Sequence, residues 1–170
     1  MAERATYPDE ELPPEERRAL TRERVTMELY VAITLMAGLV FAEHGWDDVD
    51  IVGLVWGTTV GLAAAHWVAF SLAARFVAPD ADRGLVLRQL QVQIAGAAVV
   101  ATVASLAVLV APEGHERFAA QIAVVGLVGF IVVRLGRSYG QPWSKCLRSA
   151  VVAVVAAALV AAVKEGLISE

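Results

Sequence analysis

The sequence has a single cysteine, Cys146, and only two lysines, Lys145 and Lys164, beside twelve arginines. One cysteine excludes a disulfide bond within the chain. The formal net charge of −4 is too small and of the wrong sign for nucleic-acid binding, so we expect no nucleic-acid partner. Scarce lysine in a chain rich in alanine and valine is typical of proteins encoded by GC-rich bacterial genomes, and we expect a bacterial protein.

Short motifs of enzymes and cofactor sites are also missing. The sequence contains no GxSxG, no HExxH, no phosphate-binding loop and no dinucleotide fingerprint. We therefore expect a protein that is not an enzyme and that carries no cofactor.

Apolar residues are abundant and stand in long blocks. They make up 58% of the chain, where soluble domains average about 45–50%. This pattern predicts an all-α, polytopic membrane protein with five transmembrane helices in a domain over residues 25–168, which follows a charged tail over 1–24 with a short helix after Pro13 and Pro14. The predicted spans are 25–42, 51–74, 90–110, 118–133 and 149–163, of which the last two are short for a bilayer.

Basic residues are distributed unequally between the predicted loops. Twelve of the fourteen lie in the N-terminal tail, in the loop after the second span or in the loop after the fourth. Only Arg117 and Lys164 lie in the other connections. Because loops rich in Arg and Lys stay in the cytoplasm, we expect a cytoplasmic N-terminus, an external C-terminus and a multi-pass protein of the inner (plasma) membrane.

The second span has a face of small residues. Gly53, Gly57, Gly61, Ala65 and Ala69 recur at intervals of four and so follow one side of a helix. Small-xxx-small faces let membrane helices approach closely. The pattern predicts either tight packing against a neighbouring helix or the seam of a homodimer.

His66 lies beside this face, within the apolar run GLAAAHWVAF. An ionisable residue in a span is a candidate for function. Two interpretations stay open: a neutral ring bound to a hydroxyl or a carbonyl of another helix, or a proton relay or cation ligand. Glu28 in the first span is the main candidate partner of His66, and Thr59 completes the transport candidates. Alternatively, Glu28 forms an i,i+4 ion pair with Arg24.

An acidic cluster, EHGWDDVD, occupies the loop after the first span. Glu43, His44 and Asp47 are candidate ligands for a divalent cation at this loop, although the spacing fits no metal-loop template. A solvated acidic loop on the external side is the alternative.

Two stretches resemble the vacuolar-iron-transporter-like family. LAAAHWVAFS is similar to that family's second-span run, approximately SMAAGEYVS, with His66 where the family has glutamate and Trp67 at its tyrosine. VRLGRSYGQPWSKCLRSAVVAVVAAALVAAV is similar to its last loop and span. The resemblance implies five spans, a cytoplasmic N-terminus and a dimer. The family's aspartate–glycine pair in the first span and its glutamate-rich cytoplasmic insertion are missing, so iron transport is not implied.

Two functions therefore follow as hypotheses. The first is a small transporter or ion/proton pathway that uses His66 and Glu28. The second is a non-catalytic scaffold or subunit of a larger membrane complex, which would contact a membrane-protein partner through the charged tail. Both hypotheses place the chain in the lipid bilayer, as a homo-oligomer.

Overall fold

A computed structural model of the chain describes residues 13–40, 46–77 and 83–166. Within these ranges the chain forms five α-helices, which are α1 (Pro14–Leu39), α2 (Asp48–Val77), α3 (Arg83–Val110), α4 (Glu116–Ser138) and α5 (Trp143–Gly166). The prediction of an all-α fold is confirmed.

Helix α1 runs without a break from the tail into the first predicted span. Pro13 precedes the helix and Pro14 occupies its first turn, where the missing N–H of proline costs no hydrogen bond. Glu15 and Glu16 follow at the positive end of the helix dipole. The helix predicted after Pro13 and Pro14 leads into the first predicted span as one continuous helix, because nothing between Pro14 and the apolar segment interrupts the helical backbone. The predicted boundary at residues 24 and 25 lies inside α1.

Helix α1 is the centre of the bundle. It contacts each of the other four helices. Its apolar residues Val31, Leu35 and Leu39 are fully buried, and they pack with Val100 and Val108 of α3 into one hydrophobic core. The remaining helices are therefore placed around α1, with α3 as its most extensive contact.

Three helices are long and apolar enough to cross a membrane. Among the described residues they are Asp48–Leu72 of α2, Gly84–Val110 of α3 and the whole of α4. Helix α1 is not among them because Glu23, Arg24 and Glu28 interrupt its apolar sequence. The helix with these charges is also the one that contacts all four others.

The helices that contain the fourth and fifth predicted spans are longer than those spans, and of the two only α4 is among the three candidate membrane-crossing helices of the described residues. Helix α4 has 23 residues and α5 has 24. At about 1.5 Å per residue each exceeds the ~30 Å hydrocarbon thickness of a bilayer. The prediction was too short because it ended at the first charged residue, whereas α4 continues through Arg134 and Arg137 and α5 begins before Lys145.

Helices α1 and α3 approach closely at Gly96. A Cβ atom at this position would lie 3.0 Å from Cγ of Glu28 and 3.1 Å from the carbonyl oxygen of Arg24. The second distance involves backbone, which a side-chain rotation cannot relieve. Glycine at residue 96 therefore sets how near the two central helices come to each other.

Candidate functional site

His66 lies on the face of α2 that packs into the bundle. Ile51, Val55 and Thr59 are buried on this face, and His66 continues it toward the C-terminal end of the helix. Its ring stacks on Phe70, one turn further, with the ring centroids 6.4 Å apart and the planes 19° apart. The ring is partly buried rather than turned outward, so it faces groups of the neighbouring helices.

Those groups line a cavity of about 260 Å³ between three helices. We call it the Glu23 cavity. Helix α1 contributes Glu23, Thr26, Met27 and Tyr30, α2 contributes His66 and α3 contributes Gln93. Tyr30 is 51% exposed, so the cavity is open at its rim.

Gln93 is the most deeply buried polar group of this cavity. Its side chain is 2% exposed, and its amide Nε2 donates a hydrogen bond to Oε2 of Glu23 at 3.0 Å. A carboxylate only accepts, so this bond fixes which end of the amide is nitrogen. The amide oxygen Oε1 then receives no hydrogen bond from the described residues. A buried acceptor without a donor costs about 1–3 kcal/mol, so this oxygen marks a place for a water or another donor.

Glu23 connects the cavity with the surface of the bundle. Its side chain is 26% exposed, and its second oxygen, Oε1, lies 3.7 Å from Nη2 of Arg22. The Arg22 side chain is 77% exposed, so this pair is weak. The Glu23 carboxylate therefore keeps acceptor capacity while it holds Gln93 in place.

Glu28 does not lie near His66, contrary to the predicted pairing. Its Oε1 accepts a hydrogen bond at 2.8 Å from Nε of Arg24, which confirms the alternative i,i+4 pair. Glu28 is 6% exposed and lines a different cavity, which α1 forms with α3 and α4. Residues 23 and 28 are about 140° apart around a helix, so one carboxylate faces each side of α1.

Thr59 is buried, but its hydroxyl is already used within its own helix. Oγ1 donates to the carbonyl oxygen of Val55 at 2.7 Å. Thr59 lies nearly two turns from His66 and does not line the Glu23 cavity. It therefore contributes to the packing face of α2.

The Gly/Ala face of α2 packs against no helix of this chain among the described residues. Gly53, Gly57, Gly61, Ala65 and Ala69 are all exposed, and a Cβ atom at any of the three glycines would meet nothing within 4 Å. The predicted tight packing inside the chain was wrong, because α2 buries the opposite, bulkier side with Ile51 and Val55. The homodimer interpretation remains a prediction.

Of the proposed metal ligands, only Asp47 lies within the described residues. Its Oδ1 accepts a hydrogen bond from the backbone N–H of Asp50 at 2.9 Å, and its carbonyl accepts from Ile51 at 3.1 Å. These bonds cap the N-terminus of α2. Glu43 and His44 lie outside the described residues, and no cluster of three metal-ligating side chains occurs within them.

Comparison of the chain with protein-family models, with curated proteins and with solved structures finds no match. The resemblance to the vacuolar-iron-transporter-like family thus stays a prediction.

Two members of the site were missed from the sequence. Glu23 falls in the predicted tail over 1–24, and Gln93 falls in the predicted span over 90–110 without being singled out. The available signal was the spacing of Glu23, Met27 and Tyr30 at i, i+4 and i+7, which places all three on one side of a continuous α1. Nothing in the sequence indicates that Gln93, seventy residues away from Glu23, meets it.

We predict that Glu23→Ala lowers the stability of the folded protein by about 1–3 kcal/mol, because it leaves both ends of the buried Gln93 amide without a partner. Reversible unfolding in mixed micelles measures this loss. In a Gln93→Leu background the same substitution is expected to be nearly neutral. Glu113→Ala, in the exposed turn between α3 and α4, is the control. An equal loss in both backgrounds would contradict the Glu23–Gln93 contact.

Proposed function

We propose that the chain is a proton-transporting protein of the bacterial plasma membrane, with five spans and a cytoplasmic N-terminus. Three apolar helices and the asymmetric distribution of arginine support this placement. The proposal adds α1 and α5 to these three spans. Glu28 of α1 is buried and paired with Arg24, whereas Arg22 and Arg24 lie toward the exposed N-terminal end of the helix.

The Glu23 cavity is the proposed proton site. It combines a carboxylate with an imidazole, two side-chain types that proteins use for proton transfer. The amide oxygen of Gln93, buried and without a donor among the described residues, carries the proposal. In the proposed pathway it binds a water that connects Glu23 with His66, which line the same cavity. Thr26 and Tyr30 line the same space with hydroxyl groups that both donate and accept.

The cavity opens toward the cytoplasm in this orientation. Glu23 lies near the N-terminal end of α1. His66 and Gln93 lie in the halves of α2 and α3 that also carry Arg75, Arg83 and Arg88. Beyond Tyr30 the contact between α1 and α3 is filled by Val31, Leu35 and Val100, with no exposure to water. The described conformation is therefore accessible from the inside, and transport requires this apolar half to open.

Proton flux into liposomes tests the proposal. Purified protein is reconstituted with a trapped pH-sensitive dye, and a potassium diffusion potential drives protons across the bilayer. The parent is expected to acidify the lumen faster than protein-free liposomes. His66→Ala is expected to lower this rate by about tenfold or more, since it removes a proton-exchanging ring.

Matched control variants distinguish the loss of the proton site from the loss of the folded structure. His115→Ala removes the exposed histidine of the turn before α4 and is expected to keep the parent rate. Glu28→Gln removes the carboxylate on the other side of α1 and is also expected to conduct, whereas Glu23→Gln is not. A parent rate equal to that of empty liposomes, or equal rates for His66→Ala and His115→Ala, would refute the pathway.

The exposed face of α2 supports a second function, that of a membrane scaffold which assembles through this helix. Gly53, Gly57 and Gly61 leave a shallow surface on which a second copy of the chain can pack closely. Trp56 and Trp67 are also exposed on α2 and could border the contact. A partner bound through the charged tail belongs to the same hypothesis.

Disulfide crosslinking in membranes tests this assembly. In a Cys146→Ala background, Gly57→Cys is expected to form a covalent dimer on mild oxidation, because residue 57 would meet its symmetry mate. Gly126→Cys, at an equally open glycine of α4, is the control and is expected to remain monomeric. Monomers for both variants, together with a single-chain mass in detergent, would contradict the dimer.

A further inference from the structure

Four basic residues, with no carboxylate between them in the sequence, lie where α4 ends and α5 begins. Arg134, Arg137, Lys145 and Arg148 lie here, and the sequence contains no Asp or Glu between Glu116 and Glu165. None of the four forms an ion pair with a described residue. Positive charge on this segment is therefore not neutralised by a carboxylate of the described residues.

Two of these cations border a defined cleft, which we call the α4–α5 cleft. Its volume is about 710 Å³, and Lys145 and Arg148 lie on one side of it. Val132 and Leu135 form an apolar wall deeper in the bundle, and no acidic residue lines the cleft. The site thus combines an apolar wall with a positively charged rim.

The turn that builds this cleft is well defined. Gly140 has φ +72°, and the N–H of Gln141 donates to the carbonyl of Gly136 at 3.0 Å, which ends α4. Arg137 donates to the carbonyl of Gln141 at 3.0 Å and lies 4.9 Å from the centre of the Trp143 ring. Arg137 is therefore occupied with the turn. Lys145 and Arg148 line the cleft, and Arg148 also donates from Nε to the carbonyl oxygen of Ser144 at 3.2 Å.

A second cleft adjoins the first. It shares Leu135 and Tyr139 with the α4–α5 cleft and adds Arg18, Arg22 and one carboxylate, Glu15, of α1. Tyr139 and Trp143 are 56% and 64% exposed, as expected of aromatic residues at the level of lipid headgroups. Positive charge therefore borders Tyr139 from both sides.

We infer that the α4–α5 cleft binds the phosphodiester headgroup of an anionic phospholipid, with Lys145 and Arg148 against the phosphate and an acyl chain along Val132 and Leu135. The inference rests on the proposed placement of this end of the bundle at the cytoplasmic leaflet, where anionic lipids attract basic segments, but not on the proton pathway. A free phosphate ion would use the cations and leave the apolar wall uncovered.

Native mass spectrometry of the purified full chain in detergent tests the inference. Short-chain phosphatidylglycerol is expected to bind the parent more tightly than phosphatidylcholine of the same chain length. Replacing both Lys145 and Arg148 with Gln is expected to weaken phosphatidylglycerol binding by roughly tenfold. Replacing Arg75 and Arg88 with Gln removes two cations from the same side of the bundle and is expected to leave the affinity unchanged.

Each alternative gives a different result. Equal weakening by both double variants would mean that total surface charge attracts the lipid, and would overturn the site. Inorganic phosphate that displaces phosphatidylglycerol at equal concentration would show an ion site without a lipid. Thermal unfolding in phosphatidylcholine checks that the variants are folded. Because this experiment measures lipid binding and not proton flux, a negative result would overturn the lipid site without affecting the proposed proton pathway.

Discussion

The close contact of α1 with α3 determines where the charges of the bundle lie. Gly96 admits the backbone of α1 at Arg24 and the stem of Glu28, which fixes the rotation of α1 about its own axis. With Glu28 on that side and paired with Arg24, Glu23 must face the space between α2 and α3. The Glu23 cavity is thus a consequence of how the two central helices pack.

This arrangement divides the bundle into two halves of different character. Toward the N-terminal end of α1, polar side chains meet in cavities, and basic residues border the clefts at Tyr139. Toward the other end, α1 and α3 meet through fully buried aliphatic residues. In the proposed function, the first half exchanges water and protons with the cytoplasm and the second half closes the path. A bound anionic lipid would lie beside the polar half without entering it.

Helix positions could be predicted from the sequence, but their environments could not. The apolar blocks and Pro14 indicated where the helices lie. The predicted fourth and fifth spans were too short because they stopped at charged residues, whereas the helical backbone of α4 and α5 continues through those residues. Composition could not predict that the Gly/Ala face of α2 is exposed. A surface that faces lipid is as apolar as one that is buried in protein, so the two have the same residue types. The hydrogen bond between Glu23 and Gln93 joins segments that are far apart in the sequence, so the local sequence pattern of neither helix predicts it.

The central claim is that α1, despite its charges, crosses the membrane inside the bundle. Labelling of single cysteines with a membrane-impermeant maleimide tests it most directly, in a Cys146→Ala background. Glu15→Cys, before the span, is expected to react only in inverted vesicles, and Val49→Cys, beyond it, only in right-side-out vesicles. Reaction of both residues from the same side would show that α1 does not cross, and would contradict the account.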